Sequence, residues 1–116
     1  MKSREIANIL SLKVIVEPKG DEDIKYGICC DLLSFVMAHA VEESVWVTVQ
    51  THLNTVAVAV LTGIKSIIFV SGQEPGEETI NKAKEEGINL YSSPKSAFEI
   101  VGELYKLGVK GEERKI

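Results

Sequence analysis

The sequence predicts an α/β domain, a single three-layer unit whose largely parallel sheet carries helices on both faces. Three observations support this. Short β-branched and apolar runs at residues 12–16, 24–30, 45–49, 67–70 and 88–91 alternate with segments of helical period. Residues 54–61, read as a helix between two such runs, make a strand–helix–strand crossover, the unit of parallel sheets. The chain has 116 residues, 45% of them apolar and 26% charged, which suits one folded core.

Ser3 is a candidate cap for a first helix, whose Ile6, Ile9 and Leu10 fall on one face. The first strand, residues 12–16, ends in a turn marked by Pro18, Gly20 and the acidic run 21–23. Residues 24–30 form a second strand containing the adjacent Cys29 and Cys30, which read as small packed side chains rather than a redox pair. Asp31 can cap a helix in which Leu32, Leu33, Val36 and Met37 recur at helical intervals. His39, at its end, can complement the helix dipole.

Residues 45–49 are the third strand. The following segment is ambiguous, because Val56-Ala57-Val58-Ala59-Val60 has a period of two and β-branching favours a strand. Asn54 is a good cap, however, and the next strand begins soon after Gly63, so the helix is the better reading. Past the fourth strand, residues 71–76 read as a loop, and Pro75 suits a first helical position. That helix ends at Gly87. After the fifth strand, Ser93 and Pro94 are placed at the start of the last helix, which Gly108 closes. The domain is assigned to residues 1–109, and 110–116 to a charged tail. No segment approaches the roughly 20 apolar residues of a membrane span, so a cytoplasmic protein is expected.

A net charge of −4 with no basic cluster argues against nucleic-acid binding. Two His and two Cys without CxxC or HExxH spacing argue against zinc, and no cofactor is expected. There is no GxSxG elbow, and Gly63-Ile64-Lys65-Ser66 lacks the glycines of a phosphate-binding loop. An enzyme is therefore the least favoured reading.

In a parallel sheet, ligands bind beyond the carboxyl ends of the strands. Four polar loops would gather there, and the site is predicted to comprise Asp31, Ser34, Gln50, Thr51, His52, Asn54, Gly72 and Ser92. Helix starts on this rim would offer N–H groups to a phosphate or carboxylate. Gly72 would let backbone approach a ligand. His52 could make binding pH-dependent, and its removal should spare the fold. Asn54, Asp31 and Ser93 could equally be caps and nothing more.

Several stretches carry a family resemblance. They are Asp31-Leu32-Leu33-Ser34-Phe35-Val36-Met37, Trp46 through Asn54 with Gln50-Thr51-His52, Val56-Ala57-Val58-Ala59, Ser71-Gly72-Gln73-Glu74-Pro75, and Ser92 through Phe98. Together they resemble the DRTGG domain family, over nearly the whole chain and in order. The literal DRTGG string is absent, so no residue tied to it is carried over. The resemblance implies a fold like the N-terminal domain of HPr kinase/phosphorylase, whose kinase chemistry lies in a separate domain. It implies a stand-alone regulatory or ligand-sensing module binding a small anionic metabolite or nucleotide. The alternative is a homo-oligomeric assembly or docking module for a metabolic enzyme. A homodimer is expected from surplus apolar surface in residues 32–37 and 56–61.

Overall fold

The computed structural model describes residues 1–20 and 22–111, so Asp21 and residues 112–116 lie outside it. Among the described residues five helices and six strands follow in the order α1 (Ser3–Ile9), β1 (Lys13–Val16), β2 (Tyr26–Cys29), α2 (Leu33–His39), β3 (Ser44–Thr48), α3 (Leu53–Thr62), β4 (Ser66–Phe69), α4 (Glu77–Glu86), β5 (Asn89–Ser92), α5 (Ala97–Lys106) and β6 (Lys110–Gly111). The sheet runs β1-β5-β4-β3-β2-β6. All neighbours are parallel except β1, which pairs antiparallel with β5 at one edge.

The layers follow from the pleat. Val45 and Val47 of β3, Ile68 of β4 and Tyr91 of β5 face one core with Ile6 and Leu10 of α1 and Ile100 and Leu104 of α5. The alternate positions Trp46, Ile67, Phe69 and Leu90 face a second core under α2, α3 and α4. β3, β4 and β5 are buried along their whole length, as central parallel strands covered on both faces must be. Trp46 is fully buried, and its indole N–H is satisfied by the Cys30 carbonyl at 2.9 Å.

The ambiguous segment is helical. Thr55, Val56, Val58 and Ala59 are buried, whereas Val60 and Leu61 remain exposed. Packing against the sheet overrides the β-branched preference. α3 and α4 end on Gly63 and Gly87, both at positive φ.

Several local expectations need correction. The tail does not begin at 110, because Lys110 and Gly111 pair with Tyr26 and Gly27 as a sixth strand. Ser3 lies inside α1, where it is buried, and Lys2 holds the cap position without a side-chain bond. α4 starts at Glu77 after Gly76, two residues beyond Pro75. α5 is capped by Ser96, whose hydroxyl accepts from the Glu99 N–H, whereas the Ser93 hydroxyl accepts from the Lys95 N–H in the preceding turn. Cys29 is exposed at the end of β2, whereas Cys30 is half-buried and packs against the second core, so only Cys30 is a packed side chain. His39 closes α2, stacked on Phe35 at 4.1 Å.

Candidate functional site

β5, β4, β3 and β2 are consecutive and parallel, so their carboxyl ends open onto one rim of the sheet. At about 4.8 Å between strands, the four ends span roughly 15 Å. Asp31 follows β2 and Ser34 lies in the first turn of α2, Gln50, Thr51 and His52 follow β3 and Asn54 lies in the first turn of α3, Gly72 follows β4, and Ser92 ends β5. All eight predicted residues are thus on the same rim. Six are exposed, Thr51 is half-buried and Ser92 is buried.

The loop after β3 is fixed by side chains. The buried Thr48 hydroxyl donates to Asp31 Oδ1 at 2.7 Å, and the same oxygen accepts from the Val49 N–H at 3.0 Å. Thr48 Oγ1 in turn accepts from the Gln50 N–H at 3.1 Å. Thr55 and Thr79 donate to the carbonyls of Gln50 and Thr51 at 2.8 and 2.9 Å. Asp31 is therefore not the cap of α2, whose cap position is Leu32. It ties the end of β2 to the end of β3.

His52, not Asn54, caps α3: its Nδ1 accepts from the Asn54 N–H at 3.1 Å. That bond requires Nδ1 to carry no proton, leaving Nε2 as the ring donor. Asn54 is the second residue of the helix, and its side chain is exposed. Gly72 adopts φ +73°, and a Cβ there would meet nothing within 4 Å, so its glycine serves the turn rather than a tight approach. Its N–H donates to the Ser93 carbonyl at 3.0 Å, and the Ser71 N–H to the Lys95 carbonyl at 2.8 Å, locking the loops after β4 and β5 together.

Charge on and around this rim is mixed. The Lys95 ammonium is held above its ordinary range by its hydrogen bond to Glu103. Glu74 pairs with Lys13 at 2.7 Å. Partial burial pushes the Cys29 thiol up, with the negative charge of Asp31 and the neighbouring Cys30 adding to it, which disfavours a nucleophilic thiolate.

Three larger concavities are lined by residues other than these eight. An open hollow of about 720 Å³ is lined by Cys29, Phe98, Val101 and Tyr105, among others. A cleft of about 260 Å³ separates α1 from β1, with Arg4, Asn8 and Tyr91 in its walls. A third, of about 280 Å³, sits at the opposite rim among Glu22, Glu42, Glu43 and Lys65. The described residues contain no group of three or more His, Cys, Asp and Glu side chains able to hold a metal. Among them no helix is long and apolar enough to cross a membrane.

Sequence reasoning places Thr48 at the start of the rim loop after β3 but misses Thr55 and Thr79. Their only signal was a hydroxyl at otherwise apolar, buried positions, which implies a partner without saying which.

Neither a protein-family model nor a curated protein matches the sequence. Among solved structures, the chain is similar to the CBS and DRTGG domains of the regulatory region of Clostridium perfringens pyrophosphatase, determined in complex with its activator diadenosine tetraphosphate. The TM-score is 0.69 at 15% identity, over 86% of this chain and 44% of the other. The chain thus spans less than half of that neighbour, and the likeness supports a DRTGG-like α/β fold.

Proposed function

We infer that this chain is a DRTGG-type regulatory module that senses a small anionic metabolite, with a nucleotide as the leading class. The observation that carries the reading is the rim itself. Four parallel strand ends converge there, and a pinned loop presents Gln50, His52 and Asn54 outward. The inward bonds of that loop are already satisfied, so its exposed amides and imidazole are free to meet a ligand. The structural neighbour supports the reading, since it is a regulatory region that binds a nucleotide activator. A metabolic enzyme reading the occupied state is the partner this role calls for. The module is proposed to be non-catalytic: with ATP and a seryl acceptor such as HPr, it should transfer no phosphate.

The test is a thermal-shift and calorimetric screen with mononucleotides, dinucleoside polyphosphates and phosphorylated metabolites. A true ligand at about 100 times its Kd should add about 2.7 kcal/mol of stability. The response should be lost in a Gln50→Ala, Asn54→Ala double variant. A folded protein with no response across the panel at millimolar concentration would overturn the reading.

A further inference from the structure

α5 has two apolar faces. Ile100 and Leu104 are buried in the core. Phe98, Val101, Gly102 and Tyr105 form a second stripe at i, i+3, i+4 and i+7, turned away from it. Phe98 is 90% exposed and Tyr105 59%. With Cys29 they line the open hollow described above.

We propose that this stripe is the interface between two copies of the chain, with α5 packed antiparallel on α5 about a two-fold axis between Val101 and Gly102. The proposal goes beyond the ligand-sensing reading and does not rest on it.

The stripe is self-complementary about that axis. Phe98 of one copy meets Tyr105 of the other, and Val101 meets Gly102, as an isologous contact requires. Gly102 sits inside a helix, where it costs about 1 kcal/mol relative to Ala. Nothing within the chain calls for it, because a Cβ there would meet no atom within 4 Å. The close approach of a second helix does call for it.

Charge sets the direction. Glu99 and Lys106 lie on the same flank of the stripe, near opposite ends of the helix. Both are exposed, and among the described residues neither forms an ion pair within the chain. Antiparallel packing places Glu99 of each copy beside Lys106 of the other, twice. Parallel packing would set this flank against the opposite flank of the partner helix and leave Glu99 without Lys106.

Area agrees. Aromatic side chains present on the order of 200 Å², so Phe98 and Tyr105 leave roughly 300 Å² uncovered per copy. Two copies hide about 600 Å² on these rings alone, a third to a half of a standard interface. Val101, Ala97, the Lys106 stem and the rim of the hollow extend the contact.

Sedimentation equilibrium of the full chain over the micromolar range tests this. The wild type is expected to be a dimer. Gly102→Leu should abolish the dimer while raising the melting temperature of the monomer, since Leu is the better helix former. Phe98→Glu should also yield monomer. Glu99→Lys and Lys106→Glu should each weaken the dimer roughly tenfold, and the two together should restore it. The proposal is overturned by a monomeric wild type, by a dimer that survives Gly102→Leu or Phe98→Glu, or by charge exchanges that leave the dimer unchanged or fail to rescue each other. A foreign protein recruited to Phe98 by a wild type that stays monomeric would overturn it as well.

Discussion

Replacing Asp31 by Ala removes one carboxylate oxygen that holds two donors, and the two losses differ in weight. The Val49 N–H lies at the surface, so water takes the place of Oδ1 and little is lost. The Thr48 hydroxyl is 1% exposed, and without Asp31 it has no acceptor. An orphaned buried hydroxyl costs about 1–3 kcal/mol. For a domain of this size, a loss of about 2 kcal/mol lowers the melting temperature by roughly 6–10 °C. Thermal and urea melts of Asp31→Ala, Thr48→Val and the double variant decide the matter. Thr48→Val takes away the orphan, so the double variant should be little worse than Thr48→Val alone, with a coupling of about 1–2 kcal/mol. Asp31→Asn keeps an acceptor and should recover most of the loss. The account fails if Asp31→Ala melts within a degree or two of wild type. It also fails if the two single changes add to within about 0.5 kcal/mol, as independent sites do.

His52→Ala should destabilise the fold by about 0.5–2 kcal/mol through loss of the α3 cap, whereas His52→Asp should keep the cap, as chemical denaturation will report. A ligand response lost in both variants, but stability lost only in the first, would separate binding from capping. Burial holds the Glu22 carboxyl above its ordinary range, opposed by the Ser66 hydroxyl donating at 2.6 Å and by Lys65, with Glu43 adding to the rise. The folded state then binds that proton more tightly than the unfolded chain, so stability falls as pH rises from the ordinary Glu range through the raised folded value, and the deficit persists above it. Glu22→Gln retains an acceptor for Ser66 and should remove this slope, raising the melting temperature at neutral pH but not at acidic pH; a slope unchanged by the substitution would assign it elsewhere. Gly63→Ala should cost more than Gly87→Ala: both sit at positive φ, for about 1 kcal/mol each, but only at Gly63 does a Cβ collide, with Glu42 Cγ at 2.9 Å. Equal melting temperatures for the two variants would count against that contact.

What the sequence determined by itself was the layer architecture. Hydrophobic period separates helix from strand because one face of each must leave water, and the signal is local to each run. Strands β1 to β5 and all five helices lie close to where the pattern puts them, and the crossover logic placed Asp31, Gln50, His52, Gly72 and Ser92 on one rim. Even the segment with strand-like period, Val56 to Val60, was resolved correctly, because a parallel connection needs a helix there. Tertiary structure alone decided which polar group meets which. Asp31, Asn54 and Ser93 each looked like caps, since a short polar side chain before an apolar run reads the same whether it bonds its own helix or a neighbouring strand. Asp31 instead reaches 17 residues along the chain to Thr48, and His52 takes the cap that Asn54 was assigned. The antiparallel direction of β1 and the existence of the short β6 were hidden for the same reason: strand direction and edge pairing are properties of the partner strand, which no local period encodes. The exposed stripe on α5 was hidden too, because Val101 and Tyr105 share the helical spacing of Ala97 and Leu104 and so read as core, until the burial of Ile100 and Leu104 shows which face of the helix the sheet has taken.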